Sequence, residues 1–411
     1  MMRCRPQGEQ EVGFSRFFTG DTVPFLPFYL PKHTRLRILI IGAGYAGISA
    51  LVTILRYMPQ ASVTILDPRS HHLKITHLHE TFRYPLEDFQ ISFSVLESRY
   101  GCRHVRGEVA WQMDILQQWQ NDKAIVIGGE ILEFDYMLIA SGANPAPVPK
   151  SENVADLHDF IDTAGSSLWD ARLGSDSDVN GTKEGPVSVI GGGATGIQFL
   201  FEIAHFLKRR KIHRTLRLIQ GDTRILNQFP TGFSTYVQDR MSELNIDFHL
   251  GARYHEQQRD QILLEEIESG RQYALPSAFS FLFVGKAGTP LIPTNAFGQV
   301  IAGQKPLENI FAAGDCSRFR AFGSNTCTAQ SAVRKGILAA RNILRHSGSL
   351  KLLEPYLHRD LGYVVSLGPG DAVGWLASEG NVVTGMPALV IKEVVEAQYD
   401  LLLGGINSYM L

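Results

Sequence analysis

The chain has 411 residues, a length that usually accommodates about two or three domains. Hydrophobic residues make up 44% of it and charged residues 19%, as in ordinary globular proteins, and the formal net charge of −2 gives no reason to expect a nucleic-acid partner. No run approaches the ~18 apolar residues of a membrane-spanning helix. The four cysteines include no C-x-x-C pair, which argues against a zinc site and favours a reducing, cytoplasmic compartment.

Residues 1–35 form an N-terminal extension that combines arginines, aromatic residues and prolines. Pro24, Pro27 and Pro31 argue against one continuous helix, and the apolar core of a signal peptide is missing. We expect an arm that packs over the first domain. An organellar presequence is the alternative, although acidic residues such as Glu9 are unusual in presequences.

The first strong pattern is RILIIGAGYAGISA, in which an apolar run precedes Gly42, Gly44 and Gly47. It predicts a buried strand over 36–42 and a helix over 45–57. In such turns the first glycine permits the tight bend, the second lets the backbone approach a pyrophosphate, and the third lets helix and strand pack closely. Unpaired N–H groups at the helix start then face the phosphates. The pattern therefore predicts a dinucleotide site.

The strand that follows this helix ends at Asp67, at the spacing of a carboxylate that binds the ribose of the dinucleotide. The next segment, HHLKITHLHE, is rich in histidine, but no nearby cysteine or spaced pair of acids supports a metal site, and none is expected. Lys74 is the residue of interest there, because this loop should run near the cofactor. Farther on, Ser141 and Gly142 follow a short apolar strand and let the backbone pass close to a flat ring or a pyrophosphate.

A second fingerprint, VSVIGGGATGIQFLFE, follows a polar connection over 151–185 that contains one short helix. Its glycines are Gly191, Gly193 and Gly196, and the strand after its helix ends at Gln220. A carboxylate at that position repels a 2′-phosphate, so the neutral amide predicts that NADPH is tolerated. Two such sites in one chain let electrons pass from one cofactor to the other.

The last third of the chain begins with another apolar strand, NIFAAGD, and continues with TAQSAVRKGILAARNIL, which has the period of an amphipathic helix. The start of this helix is expected to face a bound ring system. The stretch 389–403 is a second amphipathic helix, with charged residues on one face and apolar residues on the other. Its apolar face docks either on the protein's own core, on a partner subunit of a homodimer or on a membrane surface.

In order, GAGYAG, Asp67, ASGANP, GGGATG and FAAGD resemble segments of the flavoprotein reductases that have two dinucleotide domains. TAQSAVRKG and GYVVSLGPGDAVG resemble segments of type II NADH:quinone oxidoreductases within that superfamily. The resemblance implies an α/β fold with two Rossmann-like dinucleotide-binding domains and a C-terminal amphipathic helical region. It implies FAD in the first site, NAD(P)H in the second and a quinone as electron acceptor, without proton pumping. It also implies a cytoplasmic protein, either free or peripheral on the inner face of the cytoplasmic membrane.

The expected organisation has five parts. They are the N-terminal extension (1–35), the first part of the FAD domain (36–155), the NAD(P)H domain (156–294), the second part of the FAD domain (295–385) and the C-terminal amphipathic segment (386–411).

The resemblance also implies roles for individual residues. FAD contacts are expected from Gly42, Ala43, Gly44, Tyr45, Ala46, Gly47, Asp67, Val109, Ser141, Gly142, Gly314, Asp315 and Ala329. NAD(P)H contacts are expected from Gly191, Gly193, Gly196, Gln220 and Gly288. Roles in catalysis are expected for Lys74, Thr328 and Gln330, of which Gln330 lines the acceptor pocket.

Some residues depart from the pattern of that family. Arg334 replaces the second glutamine of the alanine–glutamine motif, Gln198 replaces a glutamate after the second fingerprint, and Gln220 replaces the glutamate that selects NADH. Two other functions therefore stay open, a soluble reductase that serves an iron–sulfur protein or another acceptor, and a redox-sensing flavoprotein. Disulfide and sulfide chemistry is not expected, because the cysteines lack the required spacing.

Overall fold

The structure is a computed structural model, and it describes residues 24–143, 146, 148–149, 151–163, 165–174, 185–285 and 291–409. The first 23 residues of the N-terminal extension and the nucleotide-site candidate Gly288 lie outside the described residues. The described part of the extension packs on the protein, since Leu26 is buried and the carbonyl of Pro27 accepts a hydrogen bond from Arg345 Nε at 3.0 Å.

The chain forms a first unit, then a second unit, and its last part completes the first unit. Up to residue 143 the elements are β1 (Arg37–Ile41), α1 (Tyr45–Tyr57), β2 (Ser62–Asp67), β3 (His71–Leu73), two 3-10 helices (Ile75–Phe82 and Leu86–Phe89), β4 (Gln90–Ser92), α2 (Phe93–Tyr100), β5 (Arg103–Arg106), α3 (Met113–Asp122), β6 (Ala124–Ile127), β7 (Glu130–Glu133) and β8 (Tyr136–Ile139). Helix α1 has the bounds that the sequence predicts.

The second unit has its own parallel sheet and an antiparallel hairpin extension. Its elements are β9 (Val154–Asp156), α4 (Leu157–Thr163), α5 (Ser166–Leu173), β10 (Val187–Ile190), α6 (Ala194–Arg210), β11 (Leu216–Gln220), α7 (Thr231–Glu243), β12 (Asp247–Leu250), β13 (Ala252–Gln258), β14 (Gln261–Glu266), β15 (Gln272–Pro276) and β16 (Phe279–Leu282). In its described residues, the connection for which the sequence predicts one short helix contains two, α4 and α5.

The chain then returns to the first sheet and ends in a small antiparallel sheet and a helix. These elements are β17 (Ile292–Thr294), β18 (Gln299–Ala302), β19 (Lys305–Ala312), β20 (Ser317–Phe319), α8 (Ala329–Ser347), β21 (Gly362–Ser366), β22 (Ala372–Leu376), β23 (Ser378–Thr384) and α9 (Met386–Leu403). Pro387 lies in the first turn of α9, where its missing N–H leaves no helical hydrogen bond unmade.

The strands form two separate Rossmann-like sheets, which confirms the predicted fold class. Within the described residues the first sheet has the order β20-β17-β18-β19-β8-β1-β2-β5, and the second has the order β12-β11-β10-β16-β9. Strand pairing also assigns the short strands on either side of the second unit. Val154 pairs with Ser280, so β9 is part of the second sheet, and Ile292 pairs with Ser317, so β17 is part of the first.

A buried ion pair joins the two units. The Arg83 side chain, from the end of the first 3-10 helix, donates two hydrogen bonds of 3.0 Å to the two carboxylate oxygens of Glu202 on α6. Glu202 is fully buried. Such a two-pronged pair fixes both distance and orientation, so it holds the histidine-rich segment of the first unit against α6 of the second.

Helix α9 is held to the first unit in part by ion pairs. Lys392 is 8% exposed and donates hydrogen bonds of 3.1 Å to Glu80 and 3.0 Å to Glu396, while Lys74 pairs with Asp400. Burial by itself lowers the pKa of the Lys392 ammonium, but the two carboxylates beside it outweigh burial and raise the pKa. These ion pairs hold α9 to the protein together with its buried apolar contacts, which are made by Ala388, Tyr399, Leu402 and Leu403.

Two buried histidines complete the contacts of this region. His72 Nδ1 lies 2.9 Å from the Ala43 carbonyl, and its Nε2 lies 2.9 Å from the Tyr399 hydroxyl of α9. His79 Nε2 lies 2.9 Å from the Ser366 hydroxyl at the end of β21. Burial lowers the pKa of His72 to about 4 and that of His79 to about 3, so both imidazoles are neutral at neutral pH.

These two histidines predict that the fold loses stability in acid. An unfolded histidine has a pKa near ~6.5, so as the pH falls below this value the unfolded chain binds protons that the folded chain excludes. We expect the thermal midpoint to be highest above about pH 6.5 and to fall progressively toward pH 5. The fall should be shallower in His79→Gln, which removes one of the two groups, and unchanged in His33→Gln, at an exposed histidine. Equal slopes in His79→Gln and the wild type would contradict this account.

Candidate dinucleotide sites

The turn between β1 and α1 leaves no space for side chains at its first and third glycines. Gly42 has a φ of +94°, and a Cβ built on it lies 2.4 Å from the Ala140 carbonyl oxygen. A Cβ on Gly47 lies 2.0 Å from the carbonyl oxygen of Gly42 itself. Both distances are far below van der Waals contact, so the first turn of α1 touches the backbone of the turn that precedes it.

The turn between β10 and α6 repeats this construction in the second unit. Gly191 has a φ of +110°, and its added Cβ lies 2.3 Å from the Phe283 carbonyl oxygen. A Cβ on Gly196 lies 1.8 Å from the Gly191 carbonyl oxygen. The two units thus share one backbone geometry, in which each helix starts against the end of its strand.

The middle glycine of each turn has the opposite surroundings. Gly44 and Gly193 are the N-caps of α1 and α6, and no atom of the described residues lies within 4 Å of a Cβ built on either. Neither helix start receives a side-chain capping bond from its N-cap residue. Open space next to unpaired N–H groups is what a pyrophosphate requires, so both turns fit a dinucleotide.

The ends of the second strands are also equivalent in position. Asp67, which is 2% exposed, accepts a hydrogen bond of 2.8 Å from the Ala43 backbone N–H. Gln220 accepts one of 2.7 Å from the Gly192 backbone N–H through Oε1. Each side chain therefore fixes the backbone of its glycine turn from the end of the neighbouring strand.

The first sheet brings the other candidate FAD residues to the same edge. Strands β1, β2, β8 and β19 run parallel, so Gly42, Asp67, Ser141 and Gly314 all follow the carboxyl ends of adjacent strands. A Cβ on Gly314, whose φ is +79°, lies 3.0 Å from the Ala46 Cβ. Asp315 follows directly and is half-buried.

Helix α8 lies close against α1 and so brings its own start to this edge. A Cβ on Gly336 lies 2.2 Å from the Ala46 carbonyl oxygen, and Ser49 Oγ donates to the Val333 carbonyl at 3.2 Å. The Thr328 hydroxyl accepts a hydrogen bond of 3.0 Å from Ser331 N, so this residue caps α8.

The structure also shows the positions and contacts of the other candidate residues of the first unit. The Tyr45 hydroxyl lies 2.8 Å from Thr76 Oγ1, and the Tyr45 ring centroid lies 4.5 Å from that of Tyr399. Val109 is half-buried against the cluster that contains Leu66. Gly142 has a φ of +72°, and Ala329 and Gln330 are the first residues of α8. The ion pair of Lys74 with Asp400 uses its charge to hold α9, and its catalytic role stays a prediction.

Sequence reasoning did not identify His72 and Tyr399 as parts of the site. They connect α9 to the carbonyl of Ala43, inside the first glycine turn. The sequence signal is the histidine-rich stretch, whose composition suggests only metal binding. Nothing local to residue 72 indicates that its partner is a tyrosine 327 positions away.

One group in the described part of the chain has the ligand atoms of a metal site. His77, Glu80 and Glu396 have such atoms within 4.8 Å of one another. The Lys392 ammonium lies 3.1 Å from Glu80 Oε1 and 2.8 Å from Glu396 Oε1, so it already provides the positive charge that the carboxylates need. We interpret this group as an ion-pair network that anchors α9.

Comparison with known proteins identifies the class of this protein. The family model described as pyridine nucleotide-disulphide oxidoreductase matches residues 36–336, and the chain belongs to that family. The resemblance inferred from the glycine turns and the strand ends is thereby confirmed.

Individual relatives are more distant. The chain is 24% identical to a type II NADH:quinone oxidoreductase from Staphylococcus aureus, over 91% of this chain and 97% of the relative. The NDH2 structure from Plasmodium falciparum in complex with NADH has a TM-score of 0.72 at 17% identity, covering 88% of this chain and 94% of that one. The sulfide:quinone oxidoreductase from Aquifex aeolicus has a TM-score of 0.70 at 15% identity, covering 90% and 92%. These structures have the same fold.

The cysteines of the described chain do not favour thiol chemistry. Cys102 and Cys316 are buried, and burial raises the pKa of both thiols, that of Cys102 to about 11. A thiol attacks as its thiolate, so a raised pKa suppresses its reactivity. Cys327 is exposed and forms no disulfide.

The glycine geometry predicts different outcomes for two neighbouring substitutions. Gly44→Ala adds its methyl group to open space, so it should leave the fold intact and lower the flavin content of the purified protein severalfold. Gly47→Ala places a methyl group against the Gly42 carbonyl and should destabilise the fold itself. Flavin absorbance per chain and the thermal midpoint of the apoprotein separate the two effects. A Gly44→Ala protein with normal stability and full flavin would argue against a pyrophosphate at this turn.

Proposed function

We propose that this protein is an FAD-dependent NAD(P)H:quinone oxidoreductase. The observation that carries the proposal is the pair of equivalent strand–turn–helix sites in one chain, each with open space before its helix. Membership of the pyridine nucleotide-disulphide oxidoreductase family supports it, as does the similarity to a type II NADH:quinone oxidoreductase. Bound FAD would supply the redox chemistry, by accepting hydride from the nicotinamide and passing electrons to the acceptor.

The first unit would hold FAD through backbone and polar groups at the carboxyl edge of its sheet. Asp67 and Asp315 would bind ribose and ribityl hydroxyls, since carboxylates accept such hydrogen bonds strongly. The glycine turn would hold the pyrophosphate, and Ser141 and Gly142 would let the backbone lie close to the ring. The other proposed contacts are Ala43, Tyr45, Ala46, Val109, Gly314 and Ala329.

The second unit would hold NAD(P)H through Gly191, Gly193 and Gly196. Gln220 would lie at the adenosine-ribose end of the bound NAD(P)H. The turn after β16 would face the nicotinamide. Gly285 of that turn has a φ of +94°, and the proposed contact Gly288 follows it beyond the described residues.

The start of α8 would shape the acceptor side. Its unpaired N–H groups carry partial positive charge, which stabilises negative charge on a ring that lies against them. Thr328 would keep this start in place through its cap to Ser331, and Gln330 would line the acceptor pocket. Lys74 would act through its pairing with Asp400, which ties the loop after β3 to α9.

The outward face of α9 supports contact with a membrane surface. Val390 is 56% exposed, Val394 59% and Leu401 44%, and with Ala397 they lie at helical spacing along one stripe. This apolar stripe lies opposite Lys392, which is buried against Glu80, and it is turned to solvent. Partial burial of these side chains in lipid would contribute several kcal/mol at about 25 cal/mol per Å². No described helix is both long and apolar enough to cross a membrane.

This surface favours a lipid-soluble acceptor over the other two functions. A reductase for a small iron–sulfur protein needs a basic docking patch, and the exposed stripe on α9 is apolar. A purely redox-sensing protein needs no surface for a lipid-soluble acceptor. A peripheral position on the inner face of the cytoplasmic membrane is therefore part of the proposal, and a homodimer formed through the same stripe is the alternative use of it.

The redox activity itself can be tested by stopped-flow spectroscopy. The purified protein should be yellow, with one FAD per chain. NADH should bleach the flavin, and a short-chain quinone should restore its absorbance within the same experiment. Persistent bleaching with every quinone, together with rapid reoxidation by an iron–sulfur protein, would establish the alternative reductase instead.

The stripe on α9 predicts a selective effect on lipid binding. Val390→Ser/Val394→Ser should preserve flavin content and reduction by NADH, but lower liposome binding and activity with long-tailed quinones several-fold. High salt should not release the wild type, because the contact is apolar. Val126→Ser/Ile131→Ser, which changes two exposed residues of the β6–β7 hairpin, is the matched control and should behave as wild type. If the α9 variant binds liposomes normally but changes from dimer to monomer, the stripe is a subunit interface.

A further inference from the structure

The last residue of β11, Gln220, forms different hydrogen bonds from the last residue of β2, Asp67. Gln220 Oε1 accepts from Gly192 N at 2.7 Å, and Gln220 Nε2 donates to Asp222 Oδ2 at 2.7 Å. Both ends of the amide are therefore bonded to the protein itself. The group that Gln220 holds in place at the strand end is the Asp222 carboxylate.

Asp222 is fixed by two further contacts. Asn227 Nδ2 donates to Asp222 Oδ2 at 2.8 Å, and the Asp222 carbonyl accepts from Gly251 N at 3.0 Å. The two side-chain amides converge on the same oxygen, Oδ2. The carboxylate is thus held in one orientation, with Oδ1 able to accept a hydrogen bond.

The first unit has the same two positions with different charges. There the strand end is Asp67, and the residue two positions later is Arg69, whose Nε lies 3.2 Å from Asp67 Oδ1. In the second unit the strand end is neutral Gln220 and the residue two positions later is Asp222. The second unit therefore has its carboxylate two positions later than the first unit does. At that later position the first unit has the cation that neutralises its carboxylate.

We propose that Asp222 is the residue that selects NADH over NADPH. The inference rests on the proposed function, in which the second glycine turn binds NAD(P)H. The residue at the end of the second strand meets the adenosine ribose in such sites, and Gln220 holds Asp222 beside that position. A carboxylate accepts a hydrogen bond from a ribose hydroxyl and repels a 2′-phosphate. The neutral Gln220 therefore does not make the site tolerant of NADPH, which reverses the expectation from the sequence.

Arg224 is the basic residue of this loop. Its Nη2 donates to the Asn227 carbonyl at 2.5 Å, and its Nη1 is buried without a hydrogen-bond partner in the described part of the chain. With Asp222 neutralised, the Arg224 guanidinium would be the remaining charge in this loop and would attract a 2′-phosphate. Removing the carboxylate should therefore increase NADP⁺ affinity.

The test measures binding without turnover. NAD⁺ and NADP⁺ are titrated into the FAD-loaded protein by calorimetry, for the wild type, Asp222→Asn and Asp222→Glu. The side-chain amide of Asp222→Asn keeps an oxygen that can accept from Gln220 and Asn227, so the loop should stay in place. We expect Asp222→Asn to bind NADP⁺ at least about tenfold more tightly, or about 1.4 kcal/mol, whereas Asp222→Glu keeps the preference for NAD⁺. The ratio of kcat/KM for NADH and NADPH should shift in the same direction.

Asp247→Asn is the matched control, because it removes the same charge at the opposite edge of the sheet. Asp247 is the first residue of β12 and pairs with Arg217, whereas Gln220 pairs with Leu250 at the other end. Adding Arg224→Gln to Asp222→Asn should abolish the gain in NADP⁺ affinity. Unchanged NADP⁺ affinity in Asp222→Asn, or a wild type that prefers NADP⁺, would overturn the inference while leaving the proposed function intact. A wild type that binds neither nucleotide would overturn both.

Discussion

The whole arrangement depends on a backbone contact, the approach of a helix to the carbonyl of the turn that precedes it. At Gly47 a methyl group would lie 2.0 Å from the Gly42 carbonyl oxygen, and at Gly196 it would lie 1.8 Å from that of Gly191. This contact places the first turn of each helix directly against the strand end. The partial charge of the helix start therefore lies at the carboxyl edge of the sheet, where the side chains of neighbouring strands converge.

The same backbone geometry is combined with different charges in the two units. A carboxylate accepts from the turn in the first unit, and an amide does so in the second. Backbone geometry determines that a dinucleotide fits, because the glycines and the helix start are alike. In the proposed function, the side chains at the ends of β2 and β11 would distinguish the two dinucleotides, because they would carry the charge near the ribose.

The position of α9 follows from the cost of leaving charges unpaired. Lys392 is nearly buried and keeps its charge because Glu80 and Glu396 both lie beside it. The apolar residues of α9 carry no charge that requires a partner, and several are exposed to solvent. The helix thus buries Lys392 together with Tyr399, Leu402 and Leu403, and it leaves Val390, Val394 and Leu401 exposed to solvent. Through Tyr399 and His72 the same helix also contacts the first glycine turn, so the surface of α9 is connected to that turn.

The sequence by itself determined the parts of the fold that depend on local pattern. Gly42, Gly44 and Gly47, followed by a helical period, define a strand–turn–helix whose helix bounds match the structure, and the repeat at Gly191 defines the second. Asp67 and Gln220 could be placed at strand ends because parallel strands with short connections leave few registers. These features are determined by interactions between residues that are close together in the sequence.

Only the tertiary structure decided how distant charges are shared. The amphipathic period of α9 predicts two faces but does not indicate which residues contact the protein. That choice depends on distant partners. Lys74 lies 326 positions from Asp400, and Glu80 lies 312 positions from Lys392. The hydrogen bond of Gln220 to Asp222 likewise depends on the conformation of the loop after β11, which the sequence pattern does not specify. A sequence pattern specifies where a charge lies along an element. The energy of that charge depends on which groups the fold places within hydrogen-bonding distance.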